Sequence, residues 1–220
     1  MNIAIDGPAG AGKSTIAKLV AKKMGYIYVD TGAMYRAMAL YFIRLGVASD
    51  DSAKIDELCN KAEISIEYRD GEQVVTLGGE NVNGLIRTEE VGNMASATSV
   101  NGNVRKKLVE LQQQLAAKTD VVMDGRDIGT VVLPNAEVKV YLTASSKVRA
   151  ERRYKELIAK GMEADIDKIE ADIIERDERD MNREISPLRQ AEDATFVDSS
   201  YMTIEEVADT IMGLVKKYEG

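Results

Sequence analysis

The octet Gly7-Pro8-Ala9-Gly10-Ala11-Gly12-Lys13-Ser14 matches G-x-x-x-x-G-K-[ST] and stands directly behind a short apolar run, Ile3-Ala4-Ile5. It constrains the fold tightly, because it works only where a strand ends, the backbone curls around an anion and a helix begins. The glycines let successive N–H groups turn inward toward phosphate oxygens. Lys13 can then reach the β- and γ-phosphates of a nucleotide, and the Ser14 hydroxyl can face Mg²⁺. Downstream, Ile16, Leu19, Val20 and Met24 form a helical apolar stripe whose N-terminus would face the phosphates. A plain glycine-rich turn would need neither the lysine nor the strand and helix on either side of it.

Five apolar runs read as buried strands: Ile3 to Asp6, Tyr26 to Asp30, Val121 to Asp124, Val138 to Leu142, and Thr195 to Val197 leading into Asp198. Helical patterns separate most of them. Strands that are apolar throughout and alternate with helices predict an α/β fold whose parallel sheet is covered on both faces. Ligands then belong at the carboxyl ends of the strands, where Asp6, Asp30, Asp124 and Asp198 fall. Between Ile64 and Gly84 the pattern changes. Ile64 to Tyr68 alternates, Arg69-Asp70-Gly71-Glu72 carries an Asp-Gly turn signal, and Gln73 to Leu77 returns as a second strand. This predicts a small antiparallel hairpin set into the α/β domain, followed by a helical stretch from about Thr88 to Lys118. The expected organisation is a single domain with three parts. They are a core of about residues 1–54, 116–146 and 184–220, an insertion of about 55–115 with its hairpin at 64–77, and a short lid of about 147–183.

Two charged helical segments follow the insertion. Arg149, Arg152 and Arg153 share one face, as do Arg176, Arg179, Asp180 and Arg183. Such faces are ordinarily solvated and held by intrahelical ion pairs. Behind a phosphate loop, they also suit the neutralisation of charge on a transferring phosphoryl group. The net charge of −8 argues against a nucleic-acid or anionic-membrane partner, so any positive potential must be local. The single cysteine, Cys59, suits a reducing cytosol and reads as a core or partly buried helix residue. The absence of histidine removes histidine acid–base and metal chemistry.

Switches, motors, ATPases and kinases all use such loops. The lack of an Asn-Lys-x-Asp guanine reader and the presence of arginine-rich helices favour a small kinase with a mobile acceptor region. Closure around both substrates would exclude water as a competing acceptor. Two other readings stay open: a kinase for UMP or a small alcohol, with Asp30 or Asp124 as base, and a nucleotide-binding regulatory module without a small-molecule acceptor.

Five motifs in one order carry a resemblance over the whole chain: I-D-G-P-A-G-A-G-K-S-T (Ile5 to Thr15), D-T-G-A-M-Y-R (Asp30 to Arg36), I-R-T-E-E-V (Ile86 to Val91), D-G-R-D-I-G-T-V-V (Asp124 to Val132) and E-R-D-E-R-D-M-N-R (Glu175 to Arg183). Together they resemble the bacterial cytidylate kinases. The resemblance implies a five-stranded parallel sheet of the P-loop nucleoside monophosphate kinase type and transfer of the γ-phosphate of ATP to CMP or dCMP with Mg²⁺, in a cytoplasmic monomer. It assigns ATP to Gly7, Pro8, Ala9, Gly10, Ala11, Gly12, Lys13, Ser14 and Thr15 together with the lid arginines Arg149 and Arg153, and the metal to Ser14. It assigns CMP to Thr31, Arg36, Ser96, Arg105, Arg126, Asp127, Arg176, Asp180 and Arg183, with Lys13, Arg126 and Arg183 in the catalytic role. Within that set, Arg36 and Arg126 would take the CMP phosphate, and Arg176 and Asp180 the ribose. Asp127 would accept from the cytosine N4 amino group, while Arg105 and Ser96 would donate to N3 and O2. The family usually has serine where this chain has Thr31. Both residues carry the hydroxyl, and the extra methyl would shift the acceptor slightly. The second pKa of a phosphate monoester is about 6, so the acceptor oxygen is already largely anionic at neutral pH. No general base is needed, which fits a chain without histidine.

Overall fold

A computed structural model describes residues 1–69 and 72–219. Its contacts divide the chain into two compact units, Met1–Tyr26 with Val121–Gly220, and Ile27–Asp120. The expected five-stranded parallel sheet has the order β2-β6-β1-β7-β8, with strands β1 (Asn2–Asp6), β2 (Ile27–Asp30), β6 (Val121–Gly125), β7 (Val138–Thr143) and β8 (Thr195–Asp198). β1 lies between β6 and β7, in parallel register Ile3↔Val122 and Ile3↔Val138. Its residues Ile3, Ala4 and Ile5 are wholly buried, as a central strand covered on both faces requires.

In the first unit, α1 (Lys13–Met24) runs between two left-handed glycines, Gly12 at φ 86 and Gly25 at φ 69. The amide of Gly25 turns back to the carbonyls of Ala21 and Lys22, a common helix stop. α6 (Ser146–Ala159) and α7 (Ile166–Asn182) are capped by the side chains of Ser145 and Asp165, and α8 (Ile204–Glu219) packs on α1. After β6 the chain winds through a π-helical turn, Ile128–Val132.

In the second unit, α2 (Thr31–Arg44) begins where Asp30 accepts from the amide of Ala33. α3 (Ser52–Cys59) carries Cys59, which is buried as expected. The hairpin forms from β3 (Ile64–Arg69) and β4 (Glu72–Leu77), paired antiparallel with Ile66 opposite Val75. The Asp70-Gly71 turn lies outside the described residues. A two-residue strand, β5 (Glu80–Asn81), adds a third member that the sequence pattern did not reveal. The expected helical stretch from Thr88 is two helices, α4 (Glu89–Thr98) and α5 (Gly102–Ala116). The break has a local cause: the Asn101 side chain accepts from the amides of Asn103 and Val104 and starts a new helix. Phe42, Met34, Met38, Ile86 and Leu108 form the heart of this unit's core.

One close approach at the head of the phosphate loop ties the fold to the site. A Cβ built on Gly7 would lie 1.9 Å from the carbonyl oxygen of Leu142 on β7, whereas one on Gly25 would meet nothing within 4 Å. Gly7→Ala is therefore expected to destabilise the protein by more than about 3 kcal/mol, since backbone has to move. Gly25→Ala bears only left-handed strain of about 1–2 kcal/mol. Chemical denaturation of the two variants checks the difference, and equal losses would contradict it.

Candidate functional site

The phosphate loop occupies the carboxyl end of β1, as the strand-to-helix reading requires. Lys13 opens α1 and is only 6 % exposed; its ammonium donates to the carbonyl of Pro8 at 2.8 Å. Ser14 donates through Oγ to Asp124 Oδ2 at 2.9 Å, from the end of β6. A hydroxyl and a carboxylate, both hard oxygen donors, thus stand together beside the loop and fit the few protein ligands that Mg²⁺ takes. Among the described residues there is no cluster of three or more His, Cys, Asp or Glu side chains suited to hold a metal.

Charge is concentrated around this point. Burial pushes the Lys13 pKa down from 10.5 to about 7, the Arg126 guanidinium pushes the same way, and Asp124, Asp6 and Asp180 oppose them. Burial likewise raises Asp6 from 3.8 to about 6, although hydrogen bonds from the amides of Gly129 and Ile128 hold it lower than burial alone would. A shift of that size corresponds to a cost on the order of 3 kcal/mol for keeping Asp6 ionised at neutral pH.

Five of the residues assigned to CMP come together in the first unit. Arg126 donates through Nε to Asp180 Oδ2 at 2.8 Å. Arg183 Nη2 lies 3.9 Å from Asp127 Oδ1, and Arg183 Nε donates to the carbonyl of Ser186. Burial tends to raise the Asp180 pKa, but Arg126, Arg176 and Arg183 outweigh it and hold the carboxyl below its ordinary range. Asp127 and Asp180 are buried, and Arg176 is half-buried on α7.

The other four lie in the second unit. Thr31 is buried at the start of α2. Arg36, one helical turn and a half further on, donates to the carbonyl of Ile86 at 3.3 Å. Arg105 on α5 is buried, stands over the Tyr35 ring at 5.5 Å and donates to the carbonyl of Ser99. Ser96 is half-buried on α4. Asp30 caps α2 and is paired with Arg87.

The arginines expected in the lid divide. Arg149 is buried; it donates to the carbonyls of Ala144 and of Ala9 in the phosphate loop, and it pairs with Asp177 on α7 at 2.6 Å. Arg152 holds the carbonyl of Ser199 at 2.8 Å. Arg153 pairs with Glu156 on the exposed face of α6 and does not share the contacts of Arg149.

Four residues of consequence were absent from the expected site: Asp6, Asp124, Asp177 and Gly92. Strand-end position marked the first two, and Asp177 adjoins Arg176 in the last motif. Gly92 had its own signal, a glycine inside a helix, where it is less stable than alanine. A Cβ there would lie 3.0 Å from Arg36 Nη1, so the glycine lets Arg36 lie against α4.

A strand, a glycine loop and a helix with a buried lysine at the loop's foot, beside a hydroxyl–carboxylate pair and several arginines, define a P-loop phosphotransferase. A profile described as "Cytidylate kinase" matches residues 3–217. The chain is 51 % identical over 217 residues to a cytidylate kinase of Caldicellulosiruptor bescii, covering 99 % of this chain and 96 % of that one. It is likewise 51 % identical over 218 residues to a cytidylate kinase of Streptococcus sanguinis, covering 99 % and 97 %. The chain belongs to the cytidylate kinase family. A gluconokinase from Sinorhizobium meliloti shares the fold, with a TM-score of 0.50 at 16 % identity over 99 % of this chain and 93 % of that one.

The lowered pKa of Lys13 would make the binding of an anion beside it a proton-linked event. With its pKa lowered to about 7 in the free protein, most of the population is neutral above that pH. A polyanion seated in the loop favours the ammonium form and raises the pKa. Nucleotide binding should therefore take up protons between about pH 7 and 8.5, by a growing fraction as pH rises. Calorimetry of ATP binding in buffers of different ionisation enthalpy measures this uptake, and heats independent of buffer would contradict it.

Proposed function

We propose that the chain transfers the γ-phosphate of ATP to CMP or dCMP, giving ADP and the corresponding diphosphate. The observation that carries this reading is the half-buried Arg126, held by Asp180, beside the buried Asp127 just after β6, in a chain about half identical to cytidylate kinases along its length. In this reading Gly7 to Thr15 cradle the ATP phosphates, with Arg149 and Arg153 on the same substrate. Thr31, Arg36, Ser96, Arg105, Arg126, Asp127, Arg176, Asp180 and Arg183 hold the acceptor. The division into core, insertion (55–115) and lid (147–183) is the functional counterpart of that assignment.

Ser14 and Asp124 would hold Mg²⁺, which when bound neutralises charge on the transferring phosphates. The protein's own part is positioning and charge stabilisation. Lys13 draws on the β- and γ-phosphates, Arg126 and Arg183 neutralise the equatorial oxygens, and Asp180 orients Arg126 through its 2.8 Å contact. Asp127 accepts from the cytosine N4 amino group. Uracil has an acceptor at the corresponding position and faces Asp127 with repulsion, so a buried carboxylate there discriminates. The chain acts as a cytoplasmic monomer without nucleic-acid or membrane partners. A net charge of −8 and one buried cysteine support that setting, and no described helix is long and apolar enough to cross a membrane.

A coupled assay of ADP release across CMP, dCMP, UMP, AMP and a panel of alcohols tests the reading, with turnover expected chiefly on CMP and dCMP. Turnover mainly on an alcohol would overturn it. Asp127→Asn keeps the shape but offers a neutral amide that either accepts or donates. It is expected to lose roughly 1.5–3 kcal/mol in kcat/KM with CMP and much less with UMP. Equal losses would make Asp127 structural and move base selection to Ser96 and Arg105.

A further inference from the structure

Asp6 is a buried carboxylate assigned to neither ATP nor the acceptor. It ends β1 immediately before Gly7 and is 4 % exposed. Its two oxygens point to consecutive amides of the π-helical turn: Ile128 N–H donates to Oδ1 and Gly129 N–H to Oδ2, each at 2.7 Å. The turn is built to allow this approach. A Cβ on Gly129 would lie 3.3 Å from Asp6 Oδ2 and 3.2 Å from Cδ of the buried Lys139, so a side chain there would push the backbone off the carboxylate. Lys139 cannot swing away freely, because its ammonium is held by Asp193 and the carbonyl of Pro134.

The segment fixed in this way begins at Arg126 and Asp127. Asp127 precedes the two bonded amides, and its own carbonyl accepts from Val131 and Val132 at 2.9 and 3.1 Å. Its backbone is therefore pinned on both sides, which leaves the direction of its Cα–Cβ bond little freedom. Arg126, one residue earlier, meets Asp180 from that same anchored stretch. We propose that Asp6 is a positioning residue for the acceptor: its carboxylate, through the amides of Ile128 and Gly129, aims Arg126 and Asp127 at CMP. This rests on the acceptor assignment made above. It also explains why the fold keeps a carboxylate where burial opposes its charge. An ionised carboxylate is the group that accepts from two amides at once; an amide side chain turns a donor toward one of them.

The test uses Asp6→Asn and Gly129→Ala in the full chain, each examined by amide NMR and by nucleotide binding and kinetics. In both variants the amides of residues 126–129 should shift, and those of Ile128 and Gly129 should exchange faster. CMP affinity should fall by about tenfold or more and the CMP-to-UMP ratio of kcat/KM should shrink in both; in Gly129→Ala, which keeps the carboxylate near Lys13, ATP affinity should stay within about twofold. Gly129→Ala keeps the Asp6 carboxylate, so it tests the same contact should Asp6→Asn fold poorly. Unmoved amides would overturn the positioning role whatever the substrate. Shifted amides with unchanged CMP affinity would overturn the acceptor assignment of Arg126 and Asp127, and the proposal with it. Loss of ATP affinity alone would show that Asp6 acts through the phosphate loop instead.

Discussion

Burying charge at the carboxyl ends of β1 and β6 is the constraint around which the first unit is organised. Lys13, Asp6, Asp124, Asp127, Asp177, Asp180 and Arg149 are each less than one-tenth exposed. A charge in such surroundings is tolerated only when partners compensate it, and removing one partner leaves the other stranded. The contacts follow from that requirement: Asp180 on Arg126, Asp177 on Arg149, the Ile128 and Gly129 amides on Asp6, and the Ser14 hydroxyl on Asp124. On Lys13, burial and Arg126 outweigh the carboxylates of Asp124, Asp6 and Asp180. A polyanionic ligand in the loop would supply what Lys13 lacks. The first unit therefore holds in advance fixed dipoles and charges of the kind that phosphoryl transfer uses.

Glycine makes that arrangement possible where backbone must come close to backbone or to a charged tip. Gly7 brings the loop against β7, and Gly129 brings the π-helical turn onto Asp6. Gly92 gives Arg36 its place beside α4. In each case the adjoining groups leave no room for a methyl without movement. The same economy shows in the chemistry. An acceptor that arrives as an anion requires cations and geometry rather than a proton shuttle, and arginines and one lysine supply those without any histidine.

Much of this was legible in the sequence because it was written locally. The phosphate loop and all five parallel strands came from patterns spanning ten residues or fewer and the hairpin from one continuous stretch, 64–77, and they lie within a residue or so of where periodicity put them. β5 escaped because two residues, Glu80 and Asn81, carry no period. The break between α4 and α5 escaped because Asn101 caps a helix inside a run that is helical on both sides. The pairing of Arg149 with Ala9 and Asp177 spans 140 residues in one direction and 28 in the other, and no local pattern encodes it. Sequence gave Arg149 a charge and a helix face, while packing determined that its guanidinium meets the loop carbonyl and α7. Asp6 and Asp124 were visible as strand-end carboxylates, but their partners, two amides and a hydroxyl, lie 110 residues or more away.

The central claim is that a buried carboxylate and its neighbours select a cytidine monophosphate before any phosphate moves. Isothermal calorimetry of CMP and UMP binding to the protein alone addresses that claim with the fewest intervening steps. CMP should bind at least about tenfold more tightly than UMP, the least that one charged hydrogen bond to N4 provides. Equal affinities for the two would contradict base selection at this site.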